Sequence, residues 1–548
     1  MFFLLERLCR DIGNEKNIII YGAGFFAIEL YHKLCGIGWE NRIECFAVSS
    51  VEAQPKYIDA IPVIKFEEKI LDNNKICLLV AVGDKYIQEI RRALKGLSSE
   101  RIFYLWEYRV TDDEKRETLL NCAFDELCQH ALEEYIWNEP CRLINKVELF
   151  ENLKTEICER KNRQSTDKSI VYILEQETAR DVKIIKALLK KGFQITVLRC
   201  CEKERYGAEK ELKDLGVVIK EFICLWDFMV VSLQYKPMLY FFDIESNFEY
   251  ALVSIRHRDI WGKTVIAPYE TFESSFIGLS LEVVEFEKFC LENADAVVWR
   301  FFSKEYLQNN LGYQYKGDSI QLLDNCGGYE TAPPMLETSS GKLRLCCVVS
   351  QINSFLQQDI EIYPQQARFV DLLEKLDETC ELHVFAWYAN TDAQRQLKEL
   401  EERYANFKFF LRIEHKDLIK RLSTYDYGLC VYTNENIPVY PAGAEMIEGG
   451  VMCTEGNYRY SVANRYFDYL DAEIAVITTL PEKLCEYLRR FDVIIGMNIS
   501  NFDLGYLKAN RGYYKKQAKA AKKELLMSRQ ISNLTDLFER ICSDCEIT

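Results

Sequence analysis

Arg465 and Asp468 stand three residues apart in Ser461-Val-Ala-Asn-Arg-Tyr-Phe-Asp-Tyr-Leu-Asp-Ala-Glu-Ile-Ala-Val-Ile-Thr478, whose pattern predicts a short helix feeding a buried strand. That spacing puts both side chains on one helical face. A cation and a carboxylate so placed, near the N-terminal end of a helix, can grip a sugar nucleotide, the guanidinium on the diphosphate and the carboxylate on ribose hydroxyls. The same spacing also makes an ordinary surface ion pair. Spacing alone leaves both readings open.

The elements that must position this pair come in repeated cycles of strand and helix. Asn17 to Tyr21 is an apolar run followed by Gly22-Ala-Gly24-Phe-Phe-Ala27 and an amphipathic stretch through Leu34, the opening of a Rossmann-like unit. Strands at Ile43 to Val48, Ile76 to Val82 and Arg101 to Leu105 complete a domain over residues 1–108. A helical bridge over 109–168 follows, with Lys161 to Lys168 as its flexible part. A second α/β cycle, residues 169–330, has strands at Ile170 to Leu174, Ile195 to Leu198, Val217 to Ile219, Met238 to Phe242, Thr264 to Ala267 and Ala296 to Trp299. Gly327-Gly328 and Pro333-Pro334 punctuate the passage to a third, residues 340–548. Its strands are expected at Leu343 to Val349, Glu381 to Ala386, Phe407 to Leu411, Tyr427 to Val431 and Ile474 to Thr478. The fold class is therefore α/β, with three Rossmann-like parallel-sheet units. Ser350 and Trp387 end two strands of the third unit, where parallel sheets bind ligands; Ser350 could donate to a phosphate oxygen and Trp387 could flank a base. The alternatives are a loop-forming serine and a packed aromatic.

The segment 461–478 resembles the nucleotide-sugar site of GT-B glycosyltransferases, especially the family-4-like bacterial enzymes that build surface polysaccharides. Arg465 stands at the family's diphosphate lysine and Asp468 at its ribose glutamate; Ser461 and Asn464 match the small and polar positions ahead of them. Phe467, Tyr469, Val476 and Ile477 match the framework, whereas Glu473 replaces a glycine and Ala475 a proline. The stretch Leu411 to Leu429 resembles a second element of that family, which implies that Arg412, Glu414 and His415 lie where the base is held. The resemblance further implies that the second and third units form the two lobes of a GT-B enzyme, that a C-terminal helix within 510–526 crosses back to the first lobe, and that Asp243, Glu245 and Glu270 face the interlobe cleft. Asp243 or Glu270 would then deprotonate an acceptor hydroxyl. Glu445 and Glu448, in the long loop Asn434 to Tyr460, are further candidate acid/base or sugar ligands.

Composition bounds these expectations. A net charge of −16 disfavours a nucleic-acid partner. The 21 cysteines are scattered through strand-like and helix-like stretches, which predicts buried thiols and a reducing cytoplasm. Cys542-Ser-Asp-Cys545 has the spacing of half a metal knuckle without the other half, so no metal site is expected. The absence of an Asp-x-Asp pair argues against a metal-dependent GT-A enzyme, and Arg465 with a helix dipole can stabilise a leaving diphosphate without metal. Met1-Phe-Phe-Leu-Leu-Glu-Arg-Leu meets charge too early for a secretory leader. No run approaches the roughly 18 apolar residues of a membrane span. The basic stretch Arg511 to Lys523 could lie on anionic lipid, which would suit a lipid-linked acceptor, or be a solvated face.

Gly22 and Gly24 form a nucleotide turn that departs from the dinucleotide fingerprint, and Ser49-Ser50 supplies no carboxylate for an adenosine ribose. Ile19 to Ala81, with Val80 to Tyr86 at its end, resembles the Rossmann-like domain of bacterial sugar acyltransferases and methyltransferases, which implies a site for the donor or the acceptor, or a scaffold that binds neither. The leading expectation is a cytoplasmic, metal-independent glycosyltransferase peripheral to the inner face of the membrane. It would need no cofactor, taking a UDP-sugar or other nucleotide-sugar donor and a glycan or lipid-linked acceptor. The alternatives are an NAD-dependent sugar-nucleotide-modifying enzyme and a non-catalytic sugar-nucleotide-binding scaffold.

Overall fold

The computed structural model describes residues 5–13, 17–51, 54–67, 73, 75–82, 86, 90, 92, 94, 101–105, 112–138, 152–153, 155, 157, 168–175, 178–200, 208–244, 247–268, 276–277, 281–300, 308–309, 312–332, 341–351, 372–430, 452–453, 464–478, 488–497 and 502–543. They divide into two compact units: 1–163 with 223–234, and 164–222 with 235–548.

The first unit has helix α1 (Leu5–Ile12), strand β1 (Asn17–Tyr21), helix α2 (Phe25–Gly36), strands β2 (Ile43–Val48), β3 (Tyr57–Ile58), β4 (Ile61–Lys65), β5 (Ile76–Val80) and β6 (Ile102–Tyr104), then helices α3 (Asp112–Asn121) and α4 (Phe124–Asn138). The strand order is β3-β4-β2-β1-β5-β6, parallel except for the β3/β4 hairpin. Ile18, Ile20, Phe46, Cys77 and Leu79 fill one face and Ile19, Cys45 and Leu78 the other, the two-sided burial expected of a parallel sheet. Helix Leu225–Leu233 belongs to this unit and packs on α4, and α3 and α4, the described helices of the expected bridge, belong to it as well.

The second unit holds two all-parallel sheets. The first comprises β7 (Ser169–Leu174), β8 (Gln194–Cys200), β9 (Val218–Phe222), β10 (Leu239–Ile244), β11 (Thr264–Pro268), β13 (Ala296–Trp299) and β14 (Asp318–Gln321), in the order β14-β13-β11-β10-β7-β8-β9. Its helices are α5 (Ala179–Lys190), α6 (Ala208–Asp214), α7 (Phe248–Arg256), α8 (Arg258–Trp261) and α9 (Leu281–Asn293). The second comprises β15 (Leu343–Gln351), β16 (Cys380–Tyr388), β17 (Phe407–Leu411), β18 (Tyr427–Cys430), β20 (Ala475–Thr478) and β21 (Ile494–Gly496), in the order β17-β16-β15-β18-β20-β21. Helices α10 (Thr391–Arg403), α11 (His415–Leu422) and α12 (Arg465–Asp471) belong to it. A short antiparallel ladder joins β12 (Phe276–Ile277) to β19 (Met452–Cys453). In both sheets the first three strands run outward one way and the later strands the other, so each has a switch point beside its first strand.

The last two helices, α13 (Leu504–Glu524) and α14 (Met527–Ser543), part company. α13, the basic helix, packs Leu507, Tyr514, Ala518 and Ala521 against the second sheet. α14 returns to the first, where Ile531, Leu534 and Phe538 pack with Val182, Ile185 and Phe241. The return is therefore made one helix later than the basic stretch.

Chain crosses between the sheets twice, and the crossings are bonded to each other. Cys326 donates its N–H to the Leu525 carbonyl at 2.7 Å and accepts from the Met527 N–H at 2.8 Å. Beside them the fully buried Asp471 accepts the N–H groups of Gly327 at 2.7 Å and Gly328 at 3.2 Å and pairs with Lys522 at 3.2 Å. Gly327-Gly328 is thus a clamped turn: a Cβ on Gly327 would collide with the Tyr329 ring. Asp471→Ala would leave two N–H donors unpaired and Lys522 with only the Tyr329 and residue 471 carbonyls, and we expect a loss of about 3–5 kcal/mol in urea unfolding; a loss under about 1 kcal/mol would mean water replaces the carboxylate.

Candidate functional site

In the second sheet the switch point lies between β15 and β18. α12 is stapled across the carboxyl ends of both: Val348 donates its N–H to the Tyr469 hydroxyl at 2.8 Å, and that hydroxyl donates to the Leu429 carbonyl at 2.9 Å. Gly428 permits the close approach, since a Cβ there would overlap the Tyr469 ring. Arg465 opens α12 and donates to the Val348 carbonyl at 3.0 Å, so its guanidinium sits at the crevice where parallel sheets bind ligands. The helix has seven residues, and Asn464 at its start is helical with no side-chain cap. Its dipole is small, and the anion-holding capacity belongs to the Arg465 guanidinium.

Asp468, one turn on, is buried and faces a lysine and a histidine. Lys183 of α5 reaches its Oδ1 at 3.2 Å, and His415 Nε2 reaches the same oxygen at 3.0 Å. Lys183 also donates to the Asn325 carbonyl at 3.2 Å. Burial pushes the Asp468 carboxyl up, but Lys183 and then His415 outweigh it and hold the group well below the usual carboxylate range. Burial likewise opposes the Lys183 charge, but Asp468, with Asp471 and Asp324 behind it, outweighs burial and raises the ammonium above its ordinary value. The two partners agree: this is a mutually stabilised buried pair. Tyr329 closes the cluster, packing edge-on against His415 and donating to Glu211 of α6 at 3.1 Å.

The carboxyl edge of the first sheet carries a second charged cluster. Thr178 and Asp181 form a capping box that starts α5 just after β7. Arg180 ion-pairs with Asp243 at the end of β10 and with Asp324 at 3.1 Å, Arg300 holds Asp324 at 2.6 Å, and Tyr172 donates to Asp243 at 3.1 Å and Asp181 at 2.9 Å. The expectation of Asp243 lining an open cleft is corrected here: it is 8% exposed and engaged on two sides. Burial pushes its carboxyl up to about 7, with Arg180 pulling the other way.

Ser350 and Trp387 lie on adjacent strands, between the register pairs Val349↔Ala386 and Gln351↔Tyr388; Trp387 is half-buried and the Ser350 side chain lies outside the described residues. Arg412 is exposed, in left-handed backbone (φ 56°), with its N–H on the Ala386 carbonyl at 3.0 Å. His415 begins α11. Glu270, Ser461, Glu245, Glu445, Glu448, Cys545 and Pro333-Pro334 lie outside the described residues. In the first unit Gly22 is required by its backbone (φ 126°) and by the Ala81 carbonyl, 2.6 Å from where a Cβ would be; Gly24 precedes α2 with open space around it. Among the described residues no group of His, Cys, Asp and Glu could hold a metal ion, and no helix is long and apolar enough to cross a membrane.

The structure thus brings Arg465, Asp468 and His415 to one place and adds Lys183, which sequence reasoning missed. Lys183 lies among Val182, Ile184 and Ile185, all buried; a lysine inside the apolar face of a well-capped helix was the available signal. Glu473 is the other revision. It has left-handed backbone (φ 61°), with its N–H on the Leu470 carbonyl and the Ile474 N–H on the Tyr469 carbonyl, both at 3.0 Å. That is a Schellman helix end, so the position demands what glycine gives.

Glu473→Gly should raise stability by about 1 kcal/mol in urea unfolding; an unchanged midpoint would show that the glutamate side chain compensates. Asp468, depressed in the folded state, contributes stability above the ordinary carboxylate value of 3.8 that is lost as pH falls below it. Asp243, raised, contributes most at low pH and loses it as pH rises from about 4 to about 7. Thermal unfolding of Asp468→Asn should accordingly differ most from wild type at neutral pH, and that of Asp243→Asn should remove a decline between pH 4 and 7. Parallel wild-type and variant curves would refute either assignment.

No protein-family model matches the sequence, and no curated protein is significantly similar to it. Solved structures similar to the chain include Acinetobacter baumannii MurG (13% identity over 67% of this chain and 98% of that one, TM-score 0.35). A point mutant of Staphylococcus aureus TarM, in complex with Fondaparinux, alpha-GlcNAc-glycerol and UDP, is 9% identical over 67% of this chain and 99% of that one, TM-score 0.45. Neisseria meningitidis UDP-GlcNAc 2-epimerase bound to UDP-GlcNAc is 9% identical over 66% and 99%, TM-score 0.37.

Proposed function

We propose that the chain is a GT-B-type glycosyltransferase whose nucleotide-sugar donor binds at the switch point of the second sheet. The observation that carries this reading is Arg465 on the Val348 carbonyl, with the buried Asp468 one turn behind it. In this reading Arg465 neutralises the diphosphate and Asp468 takes the ribose hydroxyls. Trp387 and Arg412 flank the base, and Ser350 meets a phosphate oxygen. Charge that develops on the leaving diphosphate falls on Arg465, with no metal required of the protein. The acceptor proton goes to Glu270; Asp243, buried and held by Arg180 and Tyr172, is not placed to receive it.

A glycan or lipid-linked acceptor of bacterial surface polysaccharide assembly fits this chemistry. The exposed Lys516, Lys519 and Lys523 on α13 offer a cationic face for contact with an anionic membrane surface. A second reading, a sugar-nucleotide-binding scaffold without turnover, is favoured by one observation: Asp468 is already held by Lys183 and His415.

Thermal unfolding with UDP, GDP, CMP, NAD and UDP-sugars separates these readings. One nucleoside diphosphate should raise the midpoint by a few degrees, and Arg465→Ala should abolish the rise. A rise retained in the variant would refute the site, a rise from NAD alone would move function to the Gly22 turn, and binding without turnover of any donor would establish the scaffold.

A further inference from the structure

We propose that Lys183, carried on a helix of the first sheet, is a positioning residue for the nucleotide's ribose, so that the donor site of the second sheet is incomplete without the first. The proposal rests on the reading of Asp468 as the ribose carboxylate.

Three observations support it. The Lys183 and His415 contacts to Asp468 both land on one oxygen, Oδ1. Oδ2 takes no partner among the described residues, and the side chain keeps 10% of its surface exposed. One oxygen of the carboxylate is therefore anchored and the other keeps its acceptor capacity, which suits two vicinal hydroxyls donating to it. Lys183 is itself fixed: its side chain is 1% exposed, and its ammonium also donates to the Asn325 carbonyl in the crossing strand. Asn325 has left-handed backbone (φ 46°) beside the Cys326–Leu525 bond, so the crossing aims that carbonyl at the lysine.

The consequence is coupling. Without Lys183 a carboxylate this buried would be drawn toward its neutral form or to another rotamer. A protonated Asp468 is a poorer acceptor for a diol. Residues on α5 and in the crossing strand would thus govern affinity for a ligand they do not touch. Lys183 transfers no proton and bonds to no reacting atom; it holds Asp468 ionised and oriented.

The test is titration calorimetry of UDP and of 2′,3′-dideoxy-UDP, which lacks the diol, against wild type, Lys183→Met and Lys183→Gln. Lys183→Met should weaken UDP by about tenfold and leave dideoxy-UDP unchanged. Lys183→Gln keeps a donor without the charge, and should show the same selective loss should the methionine variant fail to fold. Equal losses for both nucleotides would reduce Lys183 to a structural contact and overturn the proposal. Tighter UDP binding in either variant would make Lys183 a competitor of the ribose and overturn it too. Wild-type protein that binds neither UDP nor dideoxy-UDP would instead refute the donor-site reading beneath it.

Discussion

The buried contact between Lys183 and Asp468 is the constraint around which the second unit is arranged. Residues 285 apart, from two different sheets, bring opposite charges out of water onto one oxygen. Such a pair survives only with good geometry and further hydrogen bonds, and removing one partner leaves an uncompensated buried charge. The supporting bonds are present: His415 on the carboxylate and the Asn325 carbonyl on the ammonium. The double crossing at Cys326 and Leu525, locked by Asp471 and Lys522, keeps the two sheets in the register that the pair requires. Separating the sheets would strip both charges of their partners, so the arrangement favours one relative placement of α5 and α12.

That placement gives the site its chemistry. Arg465 stands at the switch point on the Val348 carbonyl, a cation at the crevice, and Asp468 stands behind it as an ionised carboxylate whose second oxygen keeps its acceptor capacity. The Asp243 cluster on the first sheet has the opposite character. There burial outweighs Arg180 and the carboxyl rises toward neutrality. One carboxyl is thus held ionised and the other raised by burial, at the carboxyl edges of two different sheets.

Much of the fold was legible in the sequence. Apolar runs bounded by polar and charged residues marked Ile43–Val48, Ala296–Trp299 and Phe407–Leu411 with the observed boundaries. Ile43–Val48 and Ala296–Trp299 are almost wholly buried, and Phe407–Leu411, at the sheet edge, keeps the signal through its apolar residues. What was missed lacked it: β14, Asp318–Gln321, has both ends exposed, and β3 and β12 have two residues each. For the site, Arg465, Asp468 and His415 could be named from local spacing and family resemblance. Lys183 could not, because its partner is set by tertiary packing. Glu473 read as a lost glycine, yet the backbone there still adopts the glycine-like conformation. Asp243 read as a cleft residue because the end of a strand says nothing of Arg180, 63 residues away.

The most direct test of the central claim is a crystal structure with UDP bound. The account requires the diphosphate against Arg465 at the junction of β15 and β18, the ribose hydroxyls on Asp468 Oδ2, and Lys183 still on Oδ1. Nucleotide bound at the Gly22 turn, or a ribose that has displaced Lys183 from Asp468, would contradict it.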